Sequence, residues 1–305
     1  MGRGPRIQFE GALYHIINRG NYRRPIFGHP KTAAAFEGCL FEMCREMDWR
    51  LHAYVIMRNH FHLAAETPRA NLAQGMQWLE STFAKRFNRF RKERGHLFQD
   101  RYKALLIEPG PSLLRVVDYI HLNPVRAKVV PSERLGDFRQ GSFQWFRQRE
   151  RPWFFSCERW LHELGLRDTP GDWATYQEVL QIIALDPRHH DERDRLSRGW
   201  MIGSAQWGRA IARQHRGTLR LHQPGGKEWA SLQQTQWANS LEELLAIAGR
   251  TLGEAARDRR GAPWKITLAR ELRRTTSATI PWIARVLHLG APKSLSVYLS
   301  RLRTN

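Results

Sequence analysis

The chain is short of cysteine, of acidic side chains and of long apolar runs, and each shortage removes a class of protein. Its three cysteines, Cys39, Cys44 and Cys157, make no even disulfide set and no metal-binding spacing. Cys39 and Cys44 lie in the apolar run AAAFEGCLFEMCREM and are expected as core thiols in a reducing cytosol. No stretch reaches the roughly 18 apolar residues of a membrane span. The opening MGRGPRIQFEG has no apolar core of the kind a secretion signal needs, so a cytoplasmic location is expected. There is no HExxH motif, which argues against a zinc protease. Internal repeats and long low-complexity tracts are also missing.

What the chain has in excess is positive charge. Lys plus Arg number 49 against 29 Asp plus Glu, a formal net charge of +20 over 305 residues. A polyanion is the partner this implies. Most of the cations are arginine, whose planar fork suits phosphate better than the ammonium of lysine.

Hydrophobic periodicity divides the first 131 residues into strand, helix, strand, strand, helix, strand, helix. ALYHIINRG reads as the first strand and PKTAAAFEGCLFEMCREMD as a helix. WRLHAYVIM and HFHLAAE read as two strands with a bend near Arg58 and Asn59. The run NLAQGMQWLESTFAKRFNRFRKERG predicts a long helix with Leu72, Met76, Leu79, Phe83 and Phe87 on its apolar stripe and a stop at Gly95. YKALLIE is a strand. PSLLRVVDYIHLN is a helix expected to end at Asn123, because Pro124 disfavours helical geometry in the residue before it. This order predicts an α+β, ferredoxin-like domain, an antiparallel sheet with helices, over residues 1–131. Residues 132–226 are expected as a helical middle module and 227–305 as an all-α C-terminal region. Within the latter, helices at WKITLARELRRTT, TIPWIARVLHLG and PKSLSVYLSRLRT predict a helix-turn-helix over about 264–303, with Thr279 as N-cap and Gly290 as stop.

Two short stretches carry the chemistry. In YVIMRNHFHLAAE, His60 and His62 are two apart on a strand and share a face. In VVDYIHLNPVRA, Tyr119 and Asn123 are four apart on a helix and share a face too. Alone, each pair has an ordinary structural reading: histidines in a strand, a tyrosine half-buried on a helix. A free phenol, with a pKa of about 10, is ionised only about once in a thousand at neutral pH. It needs a positive field or a base to act as a nucleophile. Together, two imidazoles, an amide oxygen and a phenol are the equipment for metal-assisted attack on a phosphodiester. The intervening helix adds Lys85, Arg86, Arg89, Arg91, Lys92 and Arg94, interleaved with Phe83, Phe87 and Phe90. The cations favour phosphate contacts. The three phenylalanines are expected to face the core.

YVIMRNHFHL, GHLFQDRYKALLIE and YIHLNPVRAKVV, with the opening YHIINRGNYRRPIF, strongly resemble the REP-associated tyrosine transposases. These belong to the single-tyrosine HUH transposases and are relatives of the small single-strand insertion-sequence transposases. The resemblance covers roughly residues 6–131. It implies an HUH nuclease domain with Tyr119 as nucleophile and His60, His62 and Asn123 as ligands of Mg²⁺ or Mn²⁺. It also implies cleavage of single-stranded DNA beside a hairpin, through a 5′-phosphotyrosine that frees a 3′-OH. The protein implied is bacterial and nucleoid-associated. Arg19, Arg23, Arg24, Arg58, Arg101, Lys103 and Arg126, in or beside these motifs, join Lys85, Arg86 and Arg89 as candidate DNA contacts. Arg58, Asp100 and Lys128 depart from the usual residues at their positions, and none of the three removes a ligand or the nucleophile.

Beyond residue 131 the resemblance says less. The last helix offers Lys293, Ser294, Ser296, Tyr298 and Arg301 to a groove of double-stranded DNA. Two other readings stay open: a non-cutting DNA-binding regulator on the same scaffold, and an RNA-binding ferredoxin-like sheet. The second lacks the aromatic signatures such sheets carry on their strands.

Overall fold

The structure is a computed structural model that describes residues 7–186, 196–215 and 227–301. It forms two compact units, one running to Ser204 and one beginning at Ala205.

In the first unit, strands β1 (Ala12–Arg19), β2 (Arg50–Ile56), β3 (His60–Thr67) and β4 (Lys103–Ile107) stand in the order β2-β3-β1-β4, every neighbour antiparallel. Helices α1 (Pro30–Met47), α2 (Leu72–Arg91) and α3 (Pro111–His121) complete the expected α+β arrangement. A two-residue strand β5 (Met201–Ile202) adds a parallel neighbour to β4 and makes the sheet mixed, which the antiparallel expectation did not include.

Local chemistry sets the helix ends. Pro30 occupies the first turn of α1, and the His29 side chain accepts the Lys31 N–H. The helix stops at Asp48, in the left-handed region at φ 59°. Lys92, at φ 54°, likewise ends α2 before the expected stop at Gly95. A left-handed residue breaks the helical ladder wherever it falls, so the earlier one decides the end.

The apolar face of the sheet meets α1 and α2 through an aromatic cluster. Phe36 lies 4.7 Å from Phe61 and 5.1 Å from Phe83 between ring centroids. Gly75 on α2 is required by close approach, since a Cβ there would stand 2.6 Å from Trp49 Cζ2. Phe83 and Phe87 face this core as expected, but Phe90 is 56 % exposed. At seven residues beyond Phe83 it sits on the last turn of α2, past the edge of the core, against His29.

Helix α3 covers the other face of the sheet. It does not end at Asn123: Leu122 keeps helical angles, and α4 (Asn123–Arg126) carries the chain one turn further. Pro124 is accommodated in that new first turn, where a missing N–H costs little.

Described residues from Ser132 to Ser204 belong to the same unit. Ser132–Asp137 forms a 3₁₀ turn, followed by α5 (Phe143–Phe146), α6 (Glu158–His162) and α7 (Pro170–Leu185). They cover the outer sides of β2 and β4. On the β2 edge, Leu51 N–H donates to Phe154 O at 2.7 Å and Ile56 N–H to Gln140 O at 2.8 Å. On the β4 edge, Leu106 N–H donates to Trp200 O and Glu108 N–H to Ile202 O, both at 2.9 Å. A buried polar chain also ties α7 to α3. The Tyr176 hydroxyl donates to Asp118 Oδ1 at 2.7 Å and stands 3.0 Å from His121 Nδ1. His121 Nε2 is in turn 2.9 Å from Ser142 Oγ.

The second unit is helical: α8 (Ala205–Gln214), α9 (Lys227–Ile247), α10 (Leu252–Arg257), α11 (Pro263–Thr275), α12 (Ile280–Val286) and α13 (Pro292–Arg301). Its core holds Leu241, Leu268, Leu272, Trp282, Ile283, Leu287 and Leu295. Thr279 caps α12 by accepting the Trp282 N–H, and the turn into α13 uses left-handed His288 and Gly290. The buried ammonium of Lys265 donates to Ala255 O at 2.6 Å and Asp258 O at 3.0 Å, which joins α10 to α11.

The Tyr176 network gives a stability prediction. Tyr176→Phe removes one hydroxyl and leaves buried partners short of a hydrogen bond, a loss of about 1–3 kcal/mol. Urea unfolding at pH 7 is expected to show that loss, and an unchanged midpoint would mean the network carries no net stability.

Candidate active site

The site lies on the sheet face covered by α3. Residues opposite one another in an antiparallel pair share a face. In this sheet His60 stands opposite Arg19, His62 opposite Ile17 and Val55, and His15 opposite Ala64 and Leu105. His15, His60 and His62 therefore project to one side. Tyr119 meets them from α3: its ring centroid is 5.4 Å from that of His62 and 5.8 Å from that of His15, both edge-on. His60 and His62 are 5.1 Å apart. Arg126, on α4, sits over the Tyr119 ring with its guanidinium carbon 4.9 Å from the centroid. It also donates to Tyr119 O at 3.3 Å. Asn123 is buried one turn beyond Tyr119 on the same helix face. Tyr119 itself is only 3 % exposed.

The hydrogen bonds assign the tautomers. Asn59 Nδ2 donates to Arg23 O at 3.1 Å, so its Oδ1 is the atom facing His60 Nδ1 at 2.8 Å. That oxygen only accepts, so His60 carries a proton on Nδ1, and in the neutral ring the lone pair lies on Nε2. His15 Nδ1 lies 2.8 Å from Leu196 O and must donate to it. Burial holds the His15 imidazole neutral, its pKa lowered to about 4. Its Nε2 is then an acceptor, and His62 Nδ1, at 3.0 Å, is the donor. His62 thus also has its lone pair on Nε2. A neutral imidazole with Nδ1 engaged as donor and its lone pair on Nε2 is the form in which histidine binds a metal. With the Asn123 amide oxygen, His60 and His62 fit a divalent ion. Another group, Cys157, Glu158 and Asp168, brings three donor types together. It fits an ion poorly: Asp168 is paired with Arg151, and burial pushes the Cys157 thiol up to about 12.

The candidate DNA contacts divide between two places. Arg23, Arg24, Arg58 and Arg101 are exposed, and Arg19 and Lys103 partly so, around the end of the sheet that carries His60. Loops close this end through Gly20 N–H to Asn59 O at 2.8 Å, Asn21 N–H to Leu97 O at 2.8 Å and Gln99 N–H to Arg19 O at 3.0 Å. Gly20 is needed there, because a Cβ would lie 2.5 Å from Arg24 O. Arg24 pairs with Glu93 at 2.8 Å, and Lys103 Nζ donates to Ser197 O at 2.9 Å. Lys85, Arg86 and Arg89 are on α2, across the opposite face of the sheet. Arg86 is held there by Glu42 and the Cys39 sulfur. Lys293 is exposed on α13 in the other unit, which also contains Arg301.

Two residues escaped the reading of the sequence. His15 lies in the quoted strand ALYHIINRG, but its role depends on Leu196, 181 positions away. Tyr22 is 88 % exposed at φ 52°, in the loop beside Arg23 and Arg24. An aromatic residue between two arginines in a Gly-Asn turn was the available signal.

Residues 8–123 match the family described as "Transposase IS200 like". Among solved structures, a REP-associated tyrosine transposase bound to a REP hairpin is similar at 18 % identity and a TM-score of 0.40, over 47 % of this chain and 84 % of that one. A protein of Deinococcus radiodurans assigned to the transposases is similar at 19 % identity and a TM-score of 0.28, over 42 % of this chain and 91 % of that one. No curated protein matches the chain. Among the described residues, no helix is long and apolar enough to cross a membrane.

The buried histidines fix the sign of a pH dependence. Burial lowers His15 to about 4 and His121 to about 3. The unfolded chain, near 6.5, binds protons that the folded chain refuses. The stability they lend is therefore full above about pH 6.5 and is lost as pH falls towards 4, by about 1.4 kcal/mol per histidine per pH unit. Urea unfolding at pH 7.0 and 5.5 is expected to show lower stability at 5.5, and equal stability would contradict the neutral assignments.

Proposed function

We propose, from the match of residues 8–123 to the IS200-like transposase family, that this chain cuts and rejoins single-stranded DNA beside a hairpin through Tyr119. The observation that supports this reading is the packing of Tyr119 against His62 under Arg126, with His60 and His62 on one face of the sheet and each engaged through Nδ1.

His60, His62 and Asn123 are the residues that would hold Mg²⁺ or Mn²⁺. Bound there, the ion supplies Lewis-acid polarisation of a phosphate oxygen. The chain's own residues do the rest. Arg126 places a positive charge over the Tyr119 ring, beside the phosphate position that the attack requires. The phenolate oxygen attacks phosphorus, a Tyr119 O–P bond forms, and the bond from phosphorus to the 3′ oxygen breaks. The phenol's proton passes to water and the released 3′ oxygen takes one from water and leaves as a hydroxyl, while the DNA keeps its 5′ phosphate on the tyrosine. Arg19, Arg23, Arg58 and Arg101 ring the His60 end of the sheet and suit a phosphate backbone entering there. Tyr22 offers an exposed ring on which an unpaired base can stack. We read α11, α12 and α13 as the helix-turn-helix expected over about 264–303, and the exposed Lys293 suits double-stranded DNA.

The near-complete burial of Tyr119 favours a second reading, a DNA-binding regulator that no longer cuts. A covalent-adduct assay separates the two. Incubation with hairpin DNA and Mn²⁺ is expected to give a protein–DNA adduct that Tyr119→Phe abolishes while DNA affinity stays within about twofold. His60→Ala and His62→Ala are expected to lose metal-dependent cleavage and Asn123→Ala to lose it in part. An adduct surviving in the Phe variant rejects Tyr119 as nucleophile, and no adduct from the unmodified chain favours the regulator.

Truncation after Ser204 tests the second unit. It is expected to weaken duplex binding and flatten its salt dependence while short single strands are still cut. Undiminished duplex affinity would make the terminal helices a packing element.

A further inference from the structure

We propose that His15 is a positioning residue that sets the tautomer and ring orientation of His62, and that the Leu196 carbonyl, from a segment outside the transposase-like residues 8–123, is the anchor that holds His15 in that role. The inference rests on the reading of His62 as a metal ligand and extends it to two residues to which that reading gave no part.

The argument is one of direction. An imidazole can present its lone pair from either nitrogen, and free histidine exchanges the two. The relay removes that choice at His62. A backbone carbonyl has no proton to give, so Leu196 O fixes His15 as a donor from Nδ1. A neutral ring then has only a lone pair on Nε2, and that lone pair faces His62 Nδ1 at 3.0 Å. His62 must donate there and must keep its own lone pair on Nε2. The rings also stack, with centroids 5.2 Å apart and planes 25° from parallel, so rotation of His62 about its side-chain bonds is blocked on one side. Its other flanks are filled by Tyr119 at 5.4 Å and His60 at 5.1 Å.

The anchor is itself secured. Two residues after Leu196 the chain begins the approach to β5, whose Met201 and Ile202 pair with Leu106 and Ile107 of β4. Lys103 Nζ holds Ser197 O at 2.9 Å, and Leu196 is buried. The β4 strand that holds this segment is the same strand that stands opposite His15 in the sheet, since Leu105 is its register partner. The carbonyl and the ring it orients are therefore referred to one rigid element. Partners of this kind, behind a ligating histidine, typically change metal affinity by 10–100-fold when removed.

The test uses the full chain labelled with ¹⁵N-histidine, first without metal. Long-range ¹H–¹⁵N correlation spectra, assigned with His60→Ala and His62→Ala, are expected to show His62 protonated at Nδ1. His15→Leu is expected to release it to a mixture of tautomers and to weaken Mn²⁺ binding, followed by calorimetry, roughly 10-fold or more. His15→Gln, whose amide oxygen can accept from His62 and whose amide N–H can donate to Leu196 O, is expected to restore both. Protonation of His62 at Nε2 in the unmodified chain overturns the proposal, and this holds even where His15→Leu fails to fold. Retention of the Nδ1-protonated form in a folded His15→Leu variant overturns it too. If the unmodified chain shows the expected tautomer and relay but binds Mn²⁺ no better than its His60→Ala and His62→Ala variants, the metal reading of His62 fails, and the role of His15 with it, while the hydrogen-bond relay itself stands.

Discussion

The contact on which the site depends is the hydrogen bond between His62 and His15. It joins β3 to β1 through side chains, in addition to their backbone ladder, and it is completed only by a carbonyl from the far end of the unit. Hydrogen bonds of this type contribute little net stability in themselves, but leaving one unmade in a buried place is costly. The cost of the wrong arrangement is what makes the right one unique. Every other element of the site is positioned against that pair: Tyr119 stacks edge-on to both rings, and Arg126 closes over Tyr119.

Helix α3 is consequently held from two sides. Its sheet-facing side carries Tyr119 against the imidazoles, and its other side carries Asp118 and His121 into the buried network with Tyr176 and Ser142. A helix of 11 residues has weak independent stability, so its placement comes from these contacts rather than from its own propensity. The aromatic packing of Phe146, Trp160, Trp173 and Tyr176 behind it supplies the apolar burial that makes such a polar network tolerable.

Much of this was legible in the sequence because it is periodic and local. Strands β1–β4 and helices α1 and α2 announce themselves by alternation and by apolar stripes, and the antiparallel pairing follows from their order. Thr279 marks the start of α12 by the ordinary chemistry of caps, but the helix ends at Val286 and left-handed His288 comes before the expected stop at Gly290. What escaped depends on distance along the chain or on competition between local signals. No alternation is visible in a strand of two residues, so β5 could not be seen. His15 looks like any strand histidine until Leu196 is placed beside it. Asn123 before Pro124 reads as a helix end, but tertiary packing carries the helical path through. Gly95 is a good stop, yet Lys92 reaches the left-handed region first. Phe90 continues the aromatic rhythm of α2 after the core beneath it has run out.

The sealing of the sheet has a consequence for how copies of this chain can meet. An open edge strand offers unpaired N–H and C=O groups to any neighbour, and two such edges can merge into one continuous sheet. Here the outer side of β2 is taken by the backbone of Gln140, Ser142, Phe154 and Ser156, and the outer side of β4 by Trp200 and Ile202. Strand-to-strand fusion is thereby closed to this unit at those positions. Copies that meet at the outer sides of β2 or β4 are left with side-chain contacts at those positions.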